Sequence, residues 1–302
     1  LGESFGIDLK KWLDENKAKL DPRRPFFYQQ HRNLWKTTYA DWGWNHDKGL
    51  STEVLSDFPN AVTFSGDTHY SLTDERSVWQ GTFTAFGTSS LRYNGTPYNS
   101  RDLASFENSE ARYRHQAKYD PLKVMGLYSS TKCWQGMVFN VYDDRMVVER
   151  RDFFENQPLG DDWVIPLPSA TAEKPYGFAI RKAKRLVFAD GAKLTVHRVK
   201  AKNRRGDEVD AVEMVIPPVV QTVRNRCIEY VVTAFGRNGA KAEFNVLQNG
   251  YDRPLNHPRA SGSTVFSVAA DRLPTGTVRF EVVPLDCWWN RGAALTVSLS
   301  ST

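Results

Sequence analysis

The sequence has few cysteines, no long apolar run and no strong excess of either charge. Its 302 residues include only Cys133, Cys227 and Cys287, with no CxxC pair, which argues against a cysteine-based zinc site and leaves a Cys227–Cys287 disulfide open. No apolar run approaches the roughly 20 residues that a membrane-spanning helix needs. The formal net charge of +5 permits an anionic substrate without indicating a nucleic acid partner.

Aromatic residues are abundant, with 9 Trp, 12 Tyr and 17 Phe, and they supply enough apolar surface to exclude disorder as the dominant state. The length predicts two domains, at about 150 residues each. The first residues, Leu1-Gly2-Glu3-Ser4, contain no initiating methionine and no signal-peptide pattern. We therefore expect a mature product or a fragment.

Residues 1–165 show a mixture of helical and strand patterns. Residues 8–20 have helical spacing of Leu and Trp, and 51–57 predict a short helix capped by Ser51. Apolar runs at 25–30 and 61–66 predict buried strands, each followed by a polar loop. Further short strands are predicted over 77–81, 82–86 and 89–93, followed by a meander whose last turn is Asp143-Asp144.

The later part of the chain has a different texture. Prolines and small polar residues over 166–175 indicate a linker. Beyond it, 176–302 contains short β-type runs separated by Gly, Asn and Asp turns, which is typical of an all-β sandwich. The predicted domains are therefore 1–165 and 176–302.

Three candidate metal ligands follow the predicted strands of the first domain. His31 ends the 25–30 run, and Asp67 and His69 follow the 61–66 run. If these strands are parallel neighbours, the three side chains meet at one sheet edge, where α/β sheets bind ligands. Imidazole nitrogen and carboxylate oxygen suit zinc, iron or manganese. The alternative is that both histidines are ordinary hydrogen-bonded loop residues.

The stretch 31–50 contains candidate substrate-binding residues. The aromatics Tyr39, Trp42 and Trp44 are suited to a cleft wall that stacks on a nucleoside, sugar or lipid head group, or they pack the loop onto the core. Arg32 is suited to attract phosphate, or is exposed surface charge. His46 is a candidate catalytic residue, because this loop is expected to lie over the strand ends.

Two segments, PFFYQQH at 25–31 and AVTFSGDTHYSLTDERSVWQGTFTAFGTSSL at 61–91, resemble the C-terminal half of a calcineurin-like metallophosphoesterase of the secreted bacterial branch. In that family one strand ends in a metal-binding His and a later strand ends in Gly-His-x-His. The resemblance implies metal ligands at His31, Asp67 and His69 and a binuclear zinc, manganese or iron site. It also implies a four-layer α/β sandwich over residues 1–165, an appended immunoglobulin- or fibronectin-like β-sandwich, and an extracytoplasmic location.

The chain departs from the family pattern in two ways. Asp67 stands where the family has its first His, and the family's earlier Asp-x-His, Gly-Asp and Gly-Asn-His motifs do not precede His31. A rival alignment takes Asp67-Thr68-His69 as the opening Asp-x-His and 45–47 as Asn-His-Asp, in reversed order. The binuclear site is therefore expected to be incomplete within this sequence.

The resemblance implies a phosphomonoester or phosphodiester hydrolase, or the C-terminal portion of one. Its substrate would be a small phosphate ester or a phosphorylated glycan or lipid. A missing N-terminal half on another polypeptide, or a second copy of the chain, would be the protein partner. The alternative is a non-catalytic module derived from that fold, which binds a ligand or a protein.

Overall fold

The computed structural model describes residues 4–38, 48–94, 133–168, 173–178, 185–203 and 205–299. These residues form two compact units: those before 179 belong to the first unit and those from 185 onwards to the second. The domain bounds predicted from the sequence, 1–165 and 176–302, stay a prediction.

The first unit is built around a mixed sheet with three parallel strands. Its spatial order is β1-β2-β4-β3, in which β1 and β4 each pair in parallel with β2, and β3 pairs antiparallel with β4. β2 is almost entirely buried, as its apolar sequence AVTFS predicts for a strand covered on both faces. The strands are β1 (Phe26–Gln30), β2 (Ala61–Ser65), β3 (Val78–Gln80) and β4 (Thr84–Gly87).

Two helices cover one face of the mixed sheet. Leu9 and Leu13 on the first helix are buried against Leu55 of the second and against Ala61 and Ala85 of the sheet. The first helix begins before the predicted residue 8, and the N-cap of the second is Gly49 in a left-handed conformation rather than Ser51. The helices are α1 (Ser4–Asn16), continued by a 3-10 turn (Lys17–Lys19), and α2 (Leu50–Leu55).

An antiparallel sheet, here called the hairpin sheet, covers the other face of the mixed sheet. Its Met146, Val148 and Trp163 are buried against Val62 and Phe86 of the mixed sheet. A 3-10 turn (Glu75–Ser77) precedes β3. The hairpin sheet comprises β5 (Gln135–Val141), β6 (Arg145–Asp152), β7 (Gln157–Pro158) and β8 (Trp163–Pro166).

The second unit contains two antiparallel sheets that share one apolar core. Met214 and Phe266 from one sheet and Tyr230, Phe244 and Phe280 from the other are buried in the same cluster. The sheet orders are β10-β11-β15 and β14-β13-β16-β17, and β9 pairs with β12. The elements are β9 (Val187–Phe188), β10 (Thr195–Lys202), β11 (Glu208–Ile216), β12 (Val219–Val220), β13 (Cys227–Gly236), β14 (Lys241–Leu247), α3 (Pro258–Ser261), β15 (Thr264–Ala269), a 3-10 turn (Ala270–Arg272), β16 (Thr277–Asp286) and β17 (Leu295–Ser298).

The predicted fold class, a four-layer α/β sandwich followed by an immunoglobulin- or fibronectin-like sandwich, is wrong. The described chain is mostly β, with 43% strand and 14% helix, arranged in several sheets. A four-layer α/β sandwich needs helices on both outer faces. In the described part of the first unit both helices, α1 and α2, lie on the mixed sheet, and no helix covers the outer face of the hairpin sheet.

Candidate functional site

The candidate site lies where the parallel strands β1, β2 and β4 end. His31 directly follows β1, Gly66 to His69 follow β2, and Thr88 follows β4. Backbone hydrogen bonds join these strand ends: Gly66 N donates to His31 O at 3.0 Å, and Thr88 N donates to Ser65 O at 2.7 Å. The predicted juxtaposition of two parallel strand ends is therefore present in the structure.

His31 and Asp67 are in contact at this edge. Nε2 of His31 lies 3.3 Å from Oδ1 of Asp67, and Nη1 of Arg32 lies 3.8 Å from Oδ2. The His31 side chain is 68% exposed and that of Asp67 22%, so the pair opens to solvent on the histidine side. The Asp67 carboxylate thus lies between an imidazole and a cationic guanidinium, and the guanidinium partly offsets its negative charge.

His69 is half-buried, and its imidazole stacks at a tilt against Tyr93, with 4.6 Å between ring centroids. Its Nδ1 is buried and makes no hydrogen bond. Burial lowers the pKa of His69, while the charge of Asp67 raises it and that of His31 lowers it. Burial therefore favours the neutral form of the ring, which is the form that binds metal ions.

The backbone of the site is strained. Asp67 and His69 have φ values of 59° and 55°, and Ser89, in the loop after β4, has φ of 60°. Non-glycine residues rarely adopt this left-handed conformation, and they cluster at functional sites when they do. Two of the three predicted ligands, Asp67 and His69, therefore lie in one strained turn.

The donor set fits part of a metal site. Two ligands about 2.1 Å from a tetrahedral ion are separated by roughly 3.4 Å, close to the 3.3 Å between His31 Nε2 and Asp67 Oδ1. Oδ2 of Asp67 and Nδ1 of His69 are buried and lack hydrogen bonds. However, no group of three or more His, Cys, Asp or Glu residues in the described ranges is arranged to hold a metal ion. Further ligands would have to come from outside the described residues.

An open pocket of about 470 Å³ adjoins His31. Its floor is aromatic, because Phe64 and Phe139 meet edge-to-face with ring centroids 4.7 Å apart. Polar groups at the strand ends line the rest of the pocket. The lining residues are Gln29, Gln30, His31, Phe64, Ser65, Gly66, Thr88 and Phe139.

The other predicted site residues divide into two groups. Arg32 is described and lies against Asp67, which is consistent with an anion-attracting role beside the pair. Tyr39, Trp42, Trp44 and His46 lie outside the described residues, so their roles stay predictions. Their neighbour Trp35 is packed: a Cβ at Gly49 would lie 2.5 Å from its ring.

Sequence reasoning missed the residues behind the site. Gln135 and Arg150 of the hairpin sheet are buried and bond to the segment that follows His69. The signal for them was the polar run Thr73 to Ser77, whose side chains are buried and therefore need partners.

The Cys227–Cys287 disulfide that the sequence left open is not formed, since both cysteines are free and buried. Within the described ranges, no helix has both the length and the apolar character that crossing a membrane requires.

Comparisons of the chain with protein-family models, with curated proteins and with solved structures find no match.

Proposed function

We propose that the edge formed by the ends of β1, β2 and β4 is part of the divalent-metal site of a phosphoester hydrolase. The observation that carries the proposal is the His31–Asp67 contact of 3.3 Å at the ends of two parallel strands. The strained turn that brings His69 to the same edge supports it. The resemblance of 25–31 and 61–91 to metallophosphoesterases supplies the reaction class. An extracytoplasmic location of the protein is part of the same proposal.

In this proposal zinc, manganese or iron would draw His31, Asp67 and His69 together, because the three do not form a ready-made ligand group within the described residues. A bound divalent ion would polarise the phosphoryl oxygens and lower the pKa of a bound water. Asp67 supplies negative charge toward the ion, and burial favours the neutral form of His69, which offers a nitrogen lone pair. The ligand set is partial, and the remaining donors would come from outside the described residues.

Arg32 has the position of a substrate-binding residue. Its guanidinium lies 3.8 Å from Asp67, and its side chain is 37% exposed, so it can turn toward an anionic phosphoryl oxygen beside the ion. The pocket with Phe64 and Phe139 on its floor would receive the leaving group of the ester. An apolar or aromatic leaving group suits these rings best.

The test is Mn²⁺ binding to the intact chain, measured by isothermal titration calorimetry. Replacing a ligand should weaken binding at least about tenfold, so H31A, D67A and H69A are each compared with wild type. The matched control is H197A, which removes an exposed imidazole from β10 in the second unit. Equal affinities in all five proteins would contradict the proposed ligands.

Hydrolysis of bis(4-nitrophenyl) phosphate, assayed with and without Mn²⁺, then tests the reaction class. The proposal predicts that any Mn²⁺-dependent hydrolysis is lost in D67A and retained in H197A. Hydrolysis that is unchanged in D67A would place the reaction elsewhere. Absence of Mn²⁺ binding by wild type would overturn the proposal in favour of a non-catalytic binding module.

A further inference from the structure

The segment that follows His69 is unusually polar for its depth in the first unit. Ser71 and Ser77 are fully buried, and Thr73, Asp74 and Glu75 are at most 5% exposed. Burying such groups is unfavourable unless each finds a hydrogen-bonding or ionic partner. The partners of this segment therefore show what holds it in place.

Arg150 of β6 is the largest of these partners. Its guanidinium donates to the Leu72 carbonyl at 2.9 Å and to Oε1 of Glu75 at 2.9 Å, and it also donates to the Asp161 carbonyl. The same group stacks on Trp163, with 4.4 Å from Cζ to the ring centroid. Only 2% of the Arg150 side chain is exposed, so its charge interacts with these protein groups rather than with solvent.

Gln135 of β5 also forms hydrogen bonds with this segment, at Ser71 and Leu72. Its Oε1 accepts from the Leu72 backbone N–H at 2.9 Å and from the Ser71 hydroxyl at 3.0 Å. Both backbone polar groups of Leu72 are thus bonded to side chains of the hairpin sheet. Leu72 itself is fully buried, which fixes its position in the core.

We propose that Arg150 and Gln135 are positioning residues for the turn that carries Asp67 and His69. The turn is short: β2 ends at Ser65, and the chain is fixed again at Leu72. Left-handed non-glycine residues persist only where the surrounding structure determines them from several sides. The two anchors supply that constraint for Asp67 and His69, and they allow the site to keep a strained shape.

The part of this inference that concerns metal affinity rests on the proposed function, whereas the part that concerns the shape of the turn does not. Removing Arg150 alone would leave Glu75 buried without this counter-charge, which commonly unfolds a protein. The main variant is therefore E75Q/R150M, which removes both charges and the donor to Leu72. A second variant, G160A, keeps both charges. Its new Cβ would lie 2.6 Å from Nη2 of Arg150 and would displace the guanidinium from its present position.

The matched control is I165V. Ile165 is a fully buried residue of β8 in the same sheet, and it lies opposite Met146 of β6, away from Gln135 in the strand register. It therefore reports general destabilisation of the hairpin sheet.

The first readout is the His69 imidazole proton spectrum of the metal-free protein. The neighbouring Tyr93 ring shifts these resonances, so a loosened turn should move them toward the values of an unstructured histidine. Hydrogen exchange of the amides from Asp67 to Leu72 is measured on the same samples. The inference predicts a shift and faster exchange in E75Q/R150M and G160A, confined to this segment, and neither change in I165V.

The second readout is Mn²⁺ affinity, which should fall about 10- to 100-fold in the two variants, as is usual for residues that support metal ligands. If wild type binds no Mn²⁺, the proposed function fails, and the spectrum and hydrogen exchange still decide the positioning claim. Unchanged His69 resonances in both variants, or hydrogen exchange that rises uniformly across the first unit, would overturn it.

Discussion

At the scale of single residues, left-handed backbone outside glycine is concentrated in the loops that leave the parallel strands. Asp67 and His69 follow β2, Ser89 follows β4, and Lys36 and Lys48 lie in the connection after β1. Each such residue costs of order 1–3 kcal/mol. The loops after the parallel strands therefore adopt backbone conformations that are unfavourable in an unconstrained chain.

The strain at Asp67 predicts an inverted order of stability for two substitutions. At an ordinary position glycine is less stable than alanine by roughly 0.5–1 kcal/mol. At φ of 59° the alanine variant keeps the strain and the glycine variant relieves it. D67G should therefore have a free energy of unfolding about 1 kcal/mol higher than D67A. Urea denaturation measures the difference, and a D67A more stable than D67G would show that this turn is unstrained.

Gly250 in the second unit gives a second residue-scale prediction. Its φ is +72°, and an added Cβ would lie 2.6 Å from the backbone of Arg259 and Ala260. Gly191, with φ of +76° and open space around its Cα, is the matched control. G191A should cost about 1–2 kcal/mol from the backbone alone, and G250A clearly more. Equal melting temperatures for the two variants would contradict the predicted clash.

At the scale of secondary-structure elements, β13 carries two buried acids of high pKa. Burial raises the pKa of the Cys227 thiol and that of the Tyr230 phenol above their ordinary values. Both groups are neutral in the folded strand, and both ionise more readily in the unfolded chain. The stability that depends on them is fully present below the ordinary thiol value of 9.0 and is lost as pH rises above it.

The free energy of unfolding of the chain should therefore decrease above about pH 9, by up to about 1.4 kcal/mol per pH unit for each group. Urea titrations between pH 7 and 10.5 measure this dependence. The double variant C227A/Y230F should show a distinctly shallower decrease over the same range. A slope that is identical in wild type and variant would mean that neither group carries the alkaline sensitivity.

The sequence predicted individual elements better than their arrangement. The apolar runs located β1 and β2 within one residue at each end, because buried strands need continuous or alternating apolar positions. The strand predicted over 89–93 is wrong: 89–92 are not in a strand, and Ser89 is left-handed. The sequence around Ser89 does not indicate a left-handed conformation, because that conformation depends on the surrounding structure.

Part of the candidate site was also predicted from the apolar runs. The position of His31 and Asp67 after two apolar runs indicated that they would meet, and they are in contact. The supporting residues Gln135 and Arg150 were not predicted, because they lie more than 60 residues further along the chain. Such contacts follow from the three-dimensional arrangement of the sheets.

At the scale of the whole molecule, the error in fold class has a simple origin. The strands of the hairpin sheet were recognised in part, but a layer of helices was expected outside them, and none lies there among the described residues. Alternating patterns such as RMVVERRD fix one face of a strand and do not identify what packs on it. Layer order is therefore a property of the assembled unit.

Metal binding to the native state should also be visible in global stability. A ligand at 100 times its dissociation constant stabilises the native state by about 2.7 kcal/mol. We expect Mn²⁺ to raise the melting temperature of wild type and excess EDTA to reverse the increase, as measured by differential scanning calorimetry. D67A should show no such increase. An equal increase in D67A would indicate binding elsewhere on the chain.

The central claim is that His31 and His69 are ligands of one divalent-metal site, and nitrogen hyperfine coupling tests it most directly. Electron–nuclear double resonance on Mn²⁺ bound to the chain labelled with ¹⁵N-histidine detects imidazole nitrogens that are bonded to the ion. We predict ¹⁵N couplings in wild type that weaken in H31A and in H69A and persist in H197A. Bound Mn²⁺ without ¹⁵N coupling, or coupling unchanged in H31A and H69A, would contradict the assignment of this sheet edge as a metal site.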